Sequence, residues 1–338
     1  MGEYARSLAI ANGAVARWPG AAIRFILSRA APYAALSPHP TTLLESSPTF
    51  HSTAVREVIH EWEPDVVIFD NAGRTAQLRA ARHCSARVVY ISSRERQRRK
   101  AFRLRWMRLI DEHWIAYPEF IAGSPALLER VKLGVLGRPR VRYLDVILTP
   151  PPPHESPRAR KGVPERGYAL VVPGGGTGHP GAGDAVELFA ATARALAATD
   201  VNTVFVGRES AGDAIEPRLR MLKGLPQADL AALMRGARLI ITNGGSTLLQ
   251  SIACGKACIA APIAADQRER IRRCERAGVA IACRLEPAAM LRAARVLLDN
   301  EAERQALERR AAALDLKDGI EVALRALETL FVSDVRRD

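Results

Sequence analysis

The feature that most constrains this chain is an alternation that breaks once. Short apolar runs recur along it, each followed by a stretch with helical spacing of apolar residues: "AAIRFILS", "DVVIFD", "RVVYISS", "HWIAYP" and "VRYLDVIL" in the first half, then "YALVVP", "NTVFVG", "RLIITN", "ACIAAP" and "VAIAC" in the second. Strands alternating with helices at this spacing predict βαβ units and mostly parallel sheets covered on both faces. The break is "TPPPPHESPRARKGVPERG" (149–167), which holds six prolines and no apolar periodicity, the composition of a linker. The expected architecture is therefore α/β, with two doubly wound, Rossmann-like domains. Residues 1–148 form the first domain and 168–315 the second. Residues 316–338 are expected to form a terminal helix that packs back on the first. A length of 338 residues suits two domains better than one. Doubly wound domains usually open on a central strand. This chain opens on helical spacing instead (Tyr4, Leu8, Ala11, Val15), so the first strand is expected to be missing, with the true start upstream of Met1.

Charge is uneven. The formal net charge is +13, and residues 94–108, "RERQRRKAFRLRWMR", carry eight basic residues against one acidic. No apolar run approaches the roughly 20 residues that span a bilayer, and the amino terminus has no signal-peptide pattern. The five cysteines are scattered and odd in number. They read as structural thiols of a reducing cytoplasm, although Cys254 and Cys258 have the spacing of a CxxxC metal pair.

Two loops have the composition of anion seats. In "VVPGGGTGHPGAGDA" (171–185), Gly175 and Gly176 let backbone approach a ligand. Thr177 and His179 add polar contacts, and the amides of the following helix favour phosphate. The loop lacks the Lys-Ser/Thr of a Walker A motif and the later acid of a dinucleotide fingerprint. In "IITNGGSTLLQSIACGKACIAAPIAADQRER" (240–270), Asn243, Gly244, Gly245, Ser246 and Thr247 end a strand and start a helix, a candidate diphosphate seat. Gln250 lies about a turn further, within reach of a ribose. Asp266 and Gln267 follow the next strand, where they either contact sugar hydroxyls or, in the case of Asp266, cap a helix. In the first half, Asp70 ends a strand, either as a base or as a helix cap.

Gly244, Gly245, Ser246, Thr247, Gln250, Gly255, Pro262, Asp266 and Gln267 together resemble the donor-binding segment of GT-B glycosyltransferases, in particular the MurG-like and UDP-glycosyltransferase group. The position that holds a ribose-binding Glu in that group is Gln250 here. "GEYARSLAIANGAVARW" is similar to the first-loop pattern shared by MurG-like transferases and a related UDP-sugar hydrolase of pseudaminic acid synthesis. Gly2, Arg6 and Leu8 match, and Glu3 replaces a catalytic His. Glu3 is then either a general base or an acid favouring the helix macrodipole.

The resemblance implies a GT-B fold with two domains facing a cleft, a nucleotide-sugar co-substrate (UDP-linked), inversion, and no cofactor. No acidic DxD pair stands at a strand end, so no metal is expected. A glycan or lipid-linked acceptor would bind the first domain near Glu3 and Asp70. In the basic segment, Arg98, Arg99, Lys100, Arg103 and Trp106 suit an anionic membrane surface at the inner face, or else one solvated helix face. Nucleic acid is the weaker partner, since no recognised binding module accompanies the charge. Two alternatives stay open: a nucleotide-sugar hydrolase of the same fold, and a non-catalytic nucleotide- or sugar-binding protein at the membrane surface.

Overall fold

The structure is a computed structural model, and it describes residues 2–31, 33–34, 37–148, 162–174, 182–207 and 214–335. The chain divides into two compact units, Met1–Ile147 with Lys317–Asp338, and Leu148–Leu316. The Gly-rich residues Gly175, Gly176, Thr177 and His179 lie outside the described residues.

The first unit runs α1 (Gly2–Arg17), β1 (Phe25–Ser28), β2 (Thr41–Leu44), α2 (Ser52–Trp62), β3 (Val66–Asp70), α3 (Thr75–His83), β4 (Arg87–Ser92), α4 (Glu95–Ala101), α5 (Leu104–Met107), β5 (Glu112–Ile115), α6 (Glu119–Ala122), α7 (Leu127–Leu136) and β6 (Arg140–Tyr143). Strands β3-β4-β5-β6 form a parallel sheet in that order, and β1 and β2 form a separate parallel pair. The run "RVVYIS" explains the layers. Successive side chains of a strand point to opposite faces. Val88 and Tyr90 therefore join Leu78, Ala81, Trp106 and Ile110 on one side. Val89 and Ile91 join Trp114 on the other, under Ile10 and Ala14 of α1. The last helix of the chain, Gly319–Val335, covers that second side with Ala323, Leu324 and Leu327. Arg17 ties it to α1 through Glu321 (2.7 Å) and Glu328 (3.3 Å).

The second unit runs β7 (Tyr168–Val172), α8 (Ala182–Ala197), β8 (Thr203–Val206), β9 (Ala214–Glu216), β10 (Leu219–Leu222), α9 (Gln227–Gly236), β11 (Ala237–Asn243), α10 (Ser246–Ala253), β12 (Cys258–Ala261), α11 (Ala265–Arg276), β13 (Ile281–Ala282), α12 (Pro287–Asp299) and α13 (Glu301–Ala313); the last helix of the first unit is then α14 (Gly319–Val335). One sheet has the order β13-β12-β11-β7-β8-β10-β9, parallel except for β9. Strands β7, β8 and β12 are buried at every residue, as their unbroken apolar runs require. On one face Val171, Phe205, Ile241 and Ile259 pack beneath Phe189 and Ala193 of α8 and Met290 and Leu297 of α12. The order of parallel strands brings the carboxyl ends of β7, β11, β12 and β10 to a single edge.

Candidate functional site

At that edge of the second unit, β7 runs out into Pro173 and Gly174 while β11 runs out into Asn243 and Gly244. The Asn243 amide is buried between the two loops. Its Nδ2 donates to the Pro173 carbonyl (2.7 Å) and its Oδ1 accepts from the Gly245 amide (2.7 Å). Gly174 has φ +88°, and a Cβ there would come within 2.4 Å of Asn243 Nδ2, so only glycine fits the staple. Asn243 was expected to meet a ligand; its polar atoms instead lock two loops together.

Gly244 is also a packing glycine. A Cβ on it would lie 2.7 Å from Ile271 Cγ1 and 2.8 Å from Gln267 Cβ, both on α11. Its amide donates to Gln267 Oε1 (3.2 Å), which also accepts from the Ile263 amide (3.0 Å). Gln267 is buried, and its oxygen braces the turn through both bonds. Arg270 donates to the Gly244 carbonyl from the next turn of α11.

What faces solvent is different. Helix α10 starts at Ser246 with Gly245 as its N-cap residue, and no side chain caps it. Its first amides carry the positive end of the helix dipole with no internal acceptor. Ser246 is exposed beside them, while Thr247 is buried. Asp266, on the first turn of α11, has a side chain 72% exposed, with Arg270 Nη2 at 3.9 Å. Gln250 is half-buried and donates through Nε2 to Gln227 Oε1 (3.3 Å). Gln227 opens α9 directly after Pro226. Its signal in the sequence is a Pro-Gln pair at a helix start following a short strand. Ser246, Asp266, Gln250 and Gln227 are thus polar groups at one edge, around an uncapped helix end that suits an anion.

In the first unit the carboxyl ends of β3 and β4 meet the start of α1. Asp70 is bound by Arg6, with Nε to Oδ2 at 3.1 Å and Nη2 to Oδ1 at 2.5 Å, and by Ser7 Oγ to Oδ2 at 3.0 Å. Both partners are about nine-tenths buried. Burial pushes the Asp70 carboxyl above its usual value, and Arg6 pulls it part of the way back. With both oxygens engaged, Asp70 fastens α1 to the sheet. The expectation of a base or acceptor contact moves to Glu3. Its Oε1 accepts from Asn71 Nδ2 (2.7 Å), its side chain is 46% exposed, and Arg94 stands at 3.9 Å. Asn71 is itself fixed: its Oδ1 accepts from the Ser93 amide (2.8 Å), and it adopts the left-handed region at φ 53°. Tyr33 stacks on Tyr4 (4.3 Å between centroids) nearby, and burial followed by the Glu3 charge raises its phenol. A buried pair that the sequence reading missed, Ser92 Oγ and His113 Nε2 (2.8 Å), lies beneath; burial lowers His113 to about 3, so it is neutral.

In the basic segment, Arg98, Lys100 and Trp106 are held by the first unit. Trp106 is wholly buried, its Nε1 donating to Thr75 Oγ1 (3.0 Å). Arg98 is buried, donating to the Ala122 and Gly123 carbonyls (2.6 and 2.7 Å). Lys100 donates to the Gly73 carbonyl (2.7 Å) and sits over the Trp106 ring (4.1 Å). Of the five residues expected at a membrane, Arg99 and Arg103 are exposed. Leu127, Leu128, Val131 and Val135, on α7, are the exposed apolar group nearby, and no residue of α7 is buried.

The chain's parallel four-stranded sheet in one unit and seven-stranded sheet, parallel except for β9, in the other match the GT-B fold. Its solved likenesses carry that fold at low sequence identity. CalG4, the calicheamicin glycosyltransferase, superposes with a TM-score of 0.64 at 17% identity, covering 96% of this chain and 94% of its own. A UDP-glucosyltransferase from Polygonum tinctorium capable of glucosylating indoxyl gives 0.65 at 14%, with the same coverages. A protein described as a UDP-N-acetylglucosamine 2-epimerase, from Listeria monocytogenes, gives 0.54 at 14%, covering 93% of this chain and 98% of its own. No protein-family model and no curated protein matches the sequence.

Proposed function

We propose that the protein is an inverting glycosyltransferase that moves a sugar from a nucleotide sugar, UDP-linked, to an acceptor hydroxyl without a metal. The observation that carries this reading is the uncapped start of α10, ringed by Ser246, Asp266 and the Gln227–Gln250 pair at the carboxyl edge of the second sheet. A departing diphosphate gains most where amides and hydroxyls already point at it. In this reading the two glutamines offer donors and acceptors to a ribose or base, and the exposed Asp266 carboxylate accepts from sugar hydroxyls. Glu3, held by Asn71, takes the acceptor proton as the acceptor oxygen attacks the anomeric carbon. Glycosyltransferase structures among the fold's likenesses support the same class.

For the acceptor we propose a lipid-linked or cell-envelope glycan precursor, reached from the cytoplasmic face. Exposed apolar α7 supports it: Lys132 of α7 contacts the Phe102 carbonyl (3.4 Å) in the basic segment, whose Arg99, Arg103, Arg105 and Arg108 are exposed. Apolar residues rimmed by cations suit an anionic lipid surface. Among the described residues no helix is long and apolar enough to cross a membrane.

The test is a thermal-shift screen of nucleotides and nucleotide sugars, followed by turnover with and without acceptors. Stabilisation by a nucleotide sugar together with acceptor-dependent nucleotide release, unchanged by EDTA, is the expected result. Stoichiometric free sugar without acceptor would replace transfer by hydrolysis. Binding with no turnover would leave a non-catalytic nucleotide- or sugar-binding protein.

A further inference from the structure

A second polar recess lies at the opposite edge of the second unit's sheet, where the strands begin. It measures about 440 Å³ and is reached by the residues leading into β7, β11 and β12. Five cations line it, Arg166, Arg235, Arg238, Lys256 and Arg304, against Glu165 and Glu308. Arg304, on α13, is 7% exposed. Its Nη2 donates to Glu301 (3.3 Å) and its Nε stands 3.9 Å from Glu308, but Nη1 is buried with no hydrogen-bond partner. Arg238 donates to the Leu298 carbonyl (2.9 Å). The side chains of Arg166, Arg235 and Lys256 make no hydrogen bond or ion pair among the described residues.

A buried guanidinium N–H without an acceptor is costly, and three unpaired cations around it repel one another. An oxyanion relieves both. The recess is far larger than one tetrahedral anion needs, and no aromatic side chain lines it to stack on a base. We propose that this recess binds a compact phosphate-type polyanion, a diphosphate or phosphorylated small molecule, by its Arg235, Lys256 and Arg304 side chains. The start of α10 lies beyond the other end of β11, so this site and the candidate donor seat can be occupied together.

Inorganic pyrophosphate titrated calorimetrically into the full chain at low ionic strength tests this. We expect saturable binding, weakened about tenfold or more in the Arg235→Gln/Lys256→Gln double variant, whose side chains are outside the core. Arg304→Met should give the same loss. Ser246→Asp, at the other edge, should remove only the pyrophosphate taken up by the α10 seat and keep the component that the double variant loses. No saturable binding, or binding lost in Ser246→Asp and kept in the double variant, would overturn the proposal. Sedimentation with phosphatidylglycerol vesicles then separates the sources. Pyrophosphate-competed vesicle binding that the double variant loses assigns a lipid phosphate, and vesicle binding that it keeps assigns a soluble one.

Discussion

Glu3 and Asp70 are two carboxylates close to one helix start, and their surroundings assign them different work. Glu3 keeps an exposed face; Asp70 gives both oxygens to Arg6 and Ser7. Glu3→Gln should lower kcat about 10²–10⁴-fold with the donor KM little changed, read from steady-state kinetics. Asp70→Ala should instead cost roughly 3–5 kcal/mol of stability in urea unfolding, because it leaves the Arg6 guanidinium buried and unpaired. The acids were legible as acids at a strand end and a helix start. Their roles were not, because Arg6 and Asp70 are far apart in sequence and only the fold pairs them. His113 was illegible for the same reason: a lone His in "EHWIAY" shows nothing of its burial. It is neutral in the fold, held at about 3 against an ordinary value of 6.5. The unfolded chain therefore takes up a proton first as pH falls. Stability from this group is whole above about pH 6.5 and drains at about 1.4 kcal/mol per pH unit toward pH 3. His113→Phe should flatten that part of the stability–pH curve.

Among elements, the start of α10 makes the sharpest prediction. Ser246→Asp puts a negative charge on an uncapped helix start, which favours the helix by about 0.3–1 kcal/mol. The same charge opposes a bound diphosphate. Melting temperature should rise or hold while nucleotide-sugar affinity falls about tenfold or more, a split that simple damage to the fold would not give. On α7, Val131→Asp with Leu128→Asp should abolish binding to anionic vesicles at unchanged melting temperature, since neither side chain is buried. The long apolar strands were readable from their runs. Strands β2, β9 and β10 and helix α6 were not, being short, and α7 was not because it buries no face. The basic segment misled because its arginines suggest a solvated face, while α4 and α5 turn Arg98, Ala101, Trp106 and Met107 inward.

At the scale of the molecule, the first unit is discontinuous in sequence. Deleting Lys317–Asp338 removes α14 and uncovers Ile10, Val89, Ile91 and Trp114. Calorimetry should show the first unit melting at markedly lower temperature while the second melts unchanged, because each buried leucine of α14 contributes roughly 1.5–3 kcal/mol. The doubly wound plan itself was the most legible feature, since every βαβ repeat restates it. What the repeats did not show is how the first unit's strands are shared out, four in one sheet and two in another. Strand β3 closes the four-stranded sheet on one side, and its Ile68 is 36% exposed. Among the described residues the backbone along that margin has no neighbouring strand, and a two-stranded ribbon such as β1–β2 has little stability of its own. Such a margin is a template for another chain. Concentration, rather than temperature, would then set the practical ceiling on handling this protein, and its failure would take the form of ordered strand-on-strand growth.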